Sequence, residues 1–185
     1  DPVSGRYYIY AMEENVRPPK ILGARLSESF LTIEGQLKEC LAPSQSWENN
    51  WVEGPCVMRH GDWYYMMYSG QGYQSPNYSV CYATASDPLG PWTKYGGNPI
   101  LKKTDTVSGP GHNSVTVSPD GKEGFMAYHR HLTFAGGGPR ELAIDRIRFE
   151  RAPDVLRLPD GPSSAPQRLP SGSPPHLVGK ADKFD

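Results

Sequence analysis

The sequence predicts an all-β chain built as a β-propeller of four-stranded antiparallel blades, incomplete in this chain. Three observations carry that prediction. Helical periodicity is almost absent, a short aromatic strand recurs after a glycine turn, and each copy is followed at a similar offset by a second strand.

The recurring strand appears as Gly5-Arg6-Tyr7-Tyr8-Ile9-Tyr10-Ala11, as Gly61 to Ser69 and as Gly121 to His129. Each is rich in residues that suit a pleated, half-buried surface. The second strands are Ile21 to Ser27, Ser79 to Ser86 and Glu141 to Phe149. Along the middle one, Val80, Tyr82 and Thr84 point one way and Cys81, Ala83 and Ala85 the other, which is the period of a strand. Preceding strands stand at Pro55 to Arg59 and at Asn113 to Val117, joined to the aromatic strands by the compact turns His60-Gly61-Asp62 and Pro119-Asp120-Gly121. The unit is therefore a meander. Meanders returning at intervals of roughly 40 to 60 residues describe propeller blades, whereas a sandwich, the competing architecture, does not require equivalent strands at fixed spacing. The first unit opens in the turn before its second strand, so its innermost strand is expected to be missing. Residues 1–150 are read as blades and 151–185 as an extended Pro/Gly/Ser-rich tail, exemplified by Asp160 to Pro166 and Pro170 to Pro175, that wraps over them.

Composition narrows the function classes. Nineteen Lys+Arg against 20 Asp+Glu, with no basic run, leave no electrostatic footprint for nucleic acid or anionic lipid. The longest strictly apolar or aromatic runs, Tyr7 to Met12 and Trp63 to Tyr68, are far shorter than the roughly 18 residues of a membrane span. No signal peptide is present at the start of this chain. Cys40, Cys56 and Cys81 are an odd count without CxxC spacing, which disfavours zinc and favours buried free thiols.

Two motifs lead successive innermost strands and so point at one central channel. In Trp51-Val52-Glu53-Gly54-Pro55 a carboxylate sits between an aromatic and a turn. Desolvation disfavours the ionised form of a carboxyl, which is what a general acid requires; the plain alternative is a solvated turn glutamate. In Gly109-Pro110-Gly111-His112-Asn113-Ser114 the imidazole can orient a hydroxyl, a water or a metal ion, or can simply be a satisfied polar residue.

Together with Gly61 to Ser69, Tyr78 to Ala85, Gly90-Pro91-Trp92, and Tyr128-His129 followed by Arg140 and Ile144 to Phe149, these motifs resemble the five-bladed propeller glycosidases of glycoside hydrolase family 43, over residues 1–150 or so. That family includes arabinofuranosidases, xylosidases and arabinanases. The resemblance implies hydrolysis of O-glycosidic bonds of plant polysaccharide with inversion. It makes Glu53 the general acid, His112 the channel histidine beside a hydrated calcium ion, which it meets through water, and Arg140 the arginine reaching the sugar. Trp51 is a candidate stacking face for substrate. Inversion needs a second carboxylate roughly 6.5–9.5 Å from the acid. The resemblance places that base, and an aspartate tuning the acid, upstream of Asp1; Asp1 itself corresponds only to a turn position. Two other readings stand beside this one. One is a non-catalytic sugar-binding propeller fragment; the other is a structural partner whose ring is completed by a second polypeptide or a second copy. Specificity is expected to reside in loops such as His131 to Pro139. An extracellular location follows from a polymeric substrate, with Asn77-Tyr78-Ser79 forming a glycosylation sequon.

Overall fold

The computed structural model describes residues 1–150 and 154–174. The ends of the expected tail, 151–153 and 175–185, lie outside the described residues. Three antiparallel sheets follow one another in chain order. The first holds β1 (Tyr7–Glu13), β2 (Lys20–Leu26) and β3 (Ile33–Leu41); the second holds β4 (Val52–His60), β5 (Trp63–Gly70), β6 (Ser79–Ala85) and β7 (Thr93–Lys94). The third runs β8 (Ser108–Val117), β9 (Gly124–His131), β10 (Arg140–Glu150) and β11 (Val155–Arg157). These are blades of an incomplete β-propeller, the first with three strands among the described residues.

The middle blade shows why the strands alternate as they do. On β5 and β6, Tyr65, Met67, Val80 and Tyr82 join Met126, Tyr128, Ile147, Leu156 and Leu158 in a core between the second and third blades. The intervening Met66, Tyr68, Cys81 and Ala83 meet Ile21, Leu41 and Val52 in a second core toward the first blade. A sheet buried on both faces is apolar at most positions, which explains the nearly continuous aromatic and aliphatic run from Tyr64 to Tyr68. The flanking sheets are covered on one face only. Leu142 and Ile144 on β10 are exposed, as are Tyr7 and Ile9 on β1.

Three strands escape the sequence reading for physical reasons. The first seven residues of β3 are exposed, so no apolar alternation marks it. The two-residue β7 is too short for a period. Strand β11 comes from the segment read as tail; Leu156 is fully buried and completes the third blade. Beyond it the described residues of the chain strap over that blade. Ser163 N–H donates to Asp145, while Arg146 donates to the Gln167 side chain and the Arg168 carbonyl. Cys40, Cys56 and Cys81 are free thiols.

Candidate active site

Both inner strands start irregularly at the same end. In β4 the pairing with β5 slips between Glu53 and Cys56, and Gly54 takes a left-handed φ of 60°. In β8 the register slips on either side of Gly111, and His112 is itself left-handed at φ 55°. Bulges of this kind re-aim side chains next to functional sites, and a left-handed histidine is uncommon enough to need support from its surroundings. The support is visible. His112 N–H donates to Ser69 Oγ at 2.8 Å, and Ser69 is the cross-strand partner of Glu53. A methyl at Gly54 would come within 3.2 Å of the His112 ring, so glycine there serves both the turn and the approach of the two strands.

Tyr78 joins them. It sits just before β6, with no exposed surface, and its hydroxyl lies 2.6 Å from Glu53 Oε1 and 3.3 Å from His112 Nδ1. Burial, followed by the charge and hydrogen bond of Glu53, pushes this phenol well above its ordinary range, so it keeps its proton and donates it to the closer carboxylate oxygen. The hydroxyl has one proton, so in its contact with His112 the phenol oxygen is the acceptor and Nδ1–H the donor. The loop carrying Tyr78 is tied to the third blade by Gly109 N–H donating to the Pro76 carbonyl at 2.9 Å.

Behind Tyr78 the His129 ring lies nearly parallel, 5.3 Å between centroids and 7° between planes, and His131 stacks on His129 in turn. Burial, then the positive Arg140 and the neighbouring histidines, lowers His129 to about 4, so His129 is neutral at physiological pH. His131 Nε2 is hydrogen-bonded to the Tyr73 carbonyl at 2.8 Å. A cavity of about 600 Å³ opens in front of this stack, and His112, His129 and Arg140 all line it. Arg140 is exposed, with its guanidinium 5.1 Å from the centre of the Tyr73 ring. Glu141, a carboxylate in the cavity wall, is held by Arg130 at 2.6 Å.

The structure thus brings Glu53, which is 8% exposed, and His112 together through Tyr78, and places His112 with Arg140 on one cavity. Trp51 is set differently. One face of its ring is covered by the Arg17 guanidinium, 5.4 Å from the centroid. Asp1 is occupied by its own turn and by Tyr64, whose hydroxyl donates to it at 2.8 Å. A larger cavity, about 770 Å³, lies at the opposite ends of the same inner strands between Met58 and Val117, and contains none of these residues.

Sequence reasoning missed Tyr78 as a site residue, although it lies within one of the quoted motifs, because a tyrosine beside a strand reads as blade packing. It also missed Glu48. That carboxylate is fully buried in the turn before Trp51, where it accepts from Ser44 N–H, Gln45 N–H, the Tyr68 hydroxyl and Lys94 Nζ. Its backbone carbonyl accepts from Trp51 and Gln71, fixing the chain that leads into Glu53. A polar turn in a Ser/Asn-rich segment gives no sign that its glutamate is buried.

Comparison with known proteins bears on the chain as a whole. The family model described as Glycosyl hydrolases family 43 matches residues 1–152. A β-D-galactofuranosidase of Aspergillus niger is 33% identical over 133 residues, covering 71% of this chain and 37% of its own length. An extracellular exo-α-(1→5)-L-arabinofuranosidase of Streptomyces avermitilis is 35% identical over 131 residues, covering 65% of this chain and 27% of its own length. The crystal structure of a thermostable family-43 glycoside hydrolase superposes with a TM-score of 0.84 at 42% identity, over 92% of this chain and 59% of that one. The chain therefore spans about a third of the curated relatives it matches.

Proposed function

Because the chain belongs to glycosyl hydrolases family 43, we propose that it supplies the general acid, Glu53, to a glycosidase of the arabinofuranosidase or xylosidase type that hydrolyses polysaccharide with inversion. The observation that carries this reading is the setting of Glu53. Its carboxyl is buried at the channel end of an inner strand, one oxygen taken by Tyr78, with His112 and Arg140 on the adjoining cavity. A general acid must present its proton to one atom of the substrate, and the hydrogen bond from Tyr78 holds the Glu53 carboxyl in one orientation. Arg140 offers a planar fork of donors to the sugar hydroxyls.

The attacking water is activated by a second carboxylate. We assign it, with the aspartate that tunes the acid, to blades beyond this chain; Glu141 is engaged by Arg130 and is a poor candidate. The exposed Leu142 and Ile144 on one flank and Tyr7 and Ile9 on the other support completion of the ring by further blades, from the same polypeptide, a second polypeptide or a second copy. A fragment without those blades would bind carbohydrate and not cleave it.

A calcium ion in the channel would meet this chain at His112 through water. The ion takes six to eight oxygen ligands, and no group of three or more His, Cys, Asp or Glu among the described residues could hold it directly. The His112 ring, which lines the cavity, fits a hydrogen bond with one of its waters, and the ion would supply positive charge near the sugar. An extracellular site of action follows from the polymeric substrate. Among the described residues no helix is long and apolar enough to cross a membrane.

The test is Glu53→Gln in the full-length enzyme. Loss of the acid should abolish most turnover of an unactivated disaccharide and spare a nitrophenyl glycoside, whose leaving group needs no proton. Equal losses on both would overturn the assignment.

A further inference from the structure

Resting on the reading of Glu53 as the acid, we propose that Tyr78 is its positioning residue: by donating to Oε1 it makes Oε2 the oxygen that carries the proton to the scissile bond.

A carboxyl group has two chemically equivalent oxygens, and an acid that protonates one atom of a bound sugar must present its O–H from one of them. The 2.6 Å contact from the Tyr78 hydroxyl breaks that equivalence. An oxygen accepting a short hydrogen bond is favoured as the carbonyl oxygen of the neutral carboxyl, so the proton resides on the other. The donor has little freedom to move. The Tyr78 ring is fully buried, its face is stacked on His129, and its Cδ1–Cε1 edge runs so close to Gly111 that even a methyl there would lie 2.1 Å from it. His112 closes the arrangement from the far side of the hydroxyl at 3.3 Å.

In the reaction the Oε2–H bond breaks as the glycosidic oxygen takes the proton, and the bond from that oxygen to the anomeric carbon breaks with its electron pair remaining on oxygen. Water, deprotonated by the base, supplies the new bond to carbon. Glu53 is left as a carboxylate, and the bond from Tyr78, now to a charged acceptor, is stronger than before. Tyr78 therefore acts through Glu53 twice, first in orienting the proton and then in stabilising the charge left behind.

Tyr78→Phe keeps the ring, its stacking and its volume while deleting the hydroxyl. In the full-length enzyme, kcat on the disaccharide of the sugar it hydrolyses best should fall by about 10- to 100-fold, with KM little changed and kcat on the nitrophenyl glycoside close to wild type. The ratio of the two kcat values is the deciding readout, because a fraction of misfolded protein scales both alike. Glu53→Gln is measured in parallel. If Glu53→Gln shows the selective loss and the Tyr78→Phe ratio equals wild type, the positioning role is refuted and the acid stands. If Glu53→Gln shows no selectivity, the reading of the acid fails and the inference with it.

Discussion

Replacing Gly111 by alanine adds one methyl group to the inner strand of the third blade, and the structure says where that methyl goes. It would lie 2.1 Å from both Cδ1 and Cε1 of Tyr78. Carbon atoms settle at about 3.5–4.0 Å, so the ring must retreat by about 1.4 Å or the strand must move by as much. The ring has no free space to enter, being fully buried and stacked on His129. Overpacking a filled core in this way costs about 1–3 kcal/mol. The same retreat cannot preserve a 2.6 Å hydrogen bond to Glu53. Misplacing a catalytic group by an ångström costs on the order of a hundredfold in rate. Gly111→Ala should therefore lower the urea midpoint of unfolding and reduce turnover of an unactivated disaccharide by about two orders of magnitude. Gly96→Ala is the matched control, since a methyl there meets no atom within 4 Å. If the two variants are indistinguishable in stability and turnover, the packing of Tyr78 against β8 is not what holds Glu53.

Two further perturbations probe the scaffold. Lys94→Met leaves the fully buried Glu48 without its cation and should destabilise the fold by about 3–5 kcal/mol, with Glu48→Gln in the same background recovering part of the loss in a denaturant titration. His129 has a folded value of about 4 against an ordinary 6.5, so the unfolded chain binds the proton more readily between them. Its contribution is intact above about pH 6.5 and is lost as pH falls toward 4. Thermal unfolding followed across that window should show a shallower decline in His129→Phe, which keeps a flat ring against Tyr78 and cannot titrate.

What could be read from the sequence follows the physics of each element. Strands buried on both faces announced themselves through apolar density, and the alternation of Val80 and Tyr82 with Cys81 and Ala83 marked the two cores that enclose the middle blade. The inner strands were legible only over their regular parts, from Pro55 and from Asn113. Their first residues are bulged, and a bulge erases the period-2 pattern by which a strand is recognised. Glu53, His112 and Arg140 could be singled out because a carboxylate, an imidazole and a guanidinium in glycine-rich or strand-end settings are chemically conspicuous. Tyr78 could not, since its role depends on a contact with Glu53 across 25 residues of chain and with His112 across 34.

The bond from Gly109 to Pro76, and the hydroxyl of Tyr78 between Glu53 and His112, bear on how such a protein can be inherited and recombined. Glu53 and Tyr78 belong to the second blade, and His112, His129 and Gly111 to the third. A blade is the unit that duplicates in a propeller, yet neither blade alone encodes this arrangement. Copying or exchanging one of them would transmit half of a constellation and strand the other half. The smallest parcel that carries the whole arrangement is the seam itself, running from the turn at Glu48 to the start of β10.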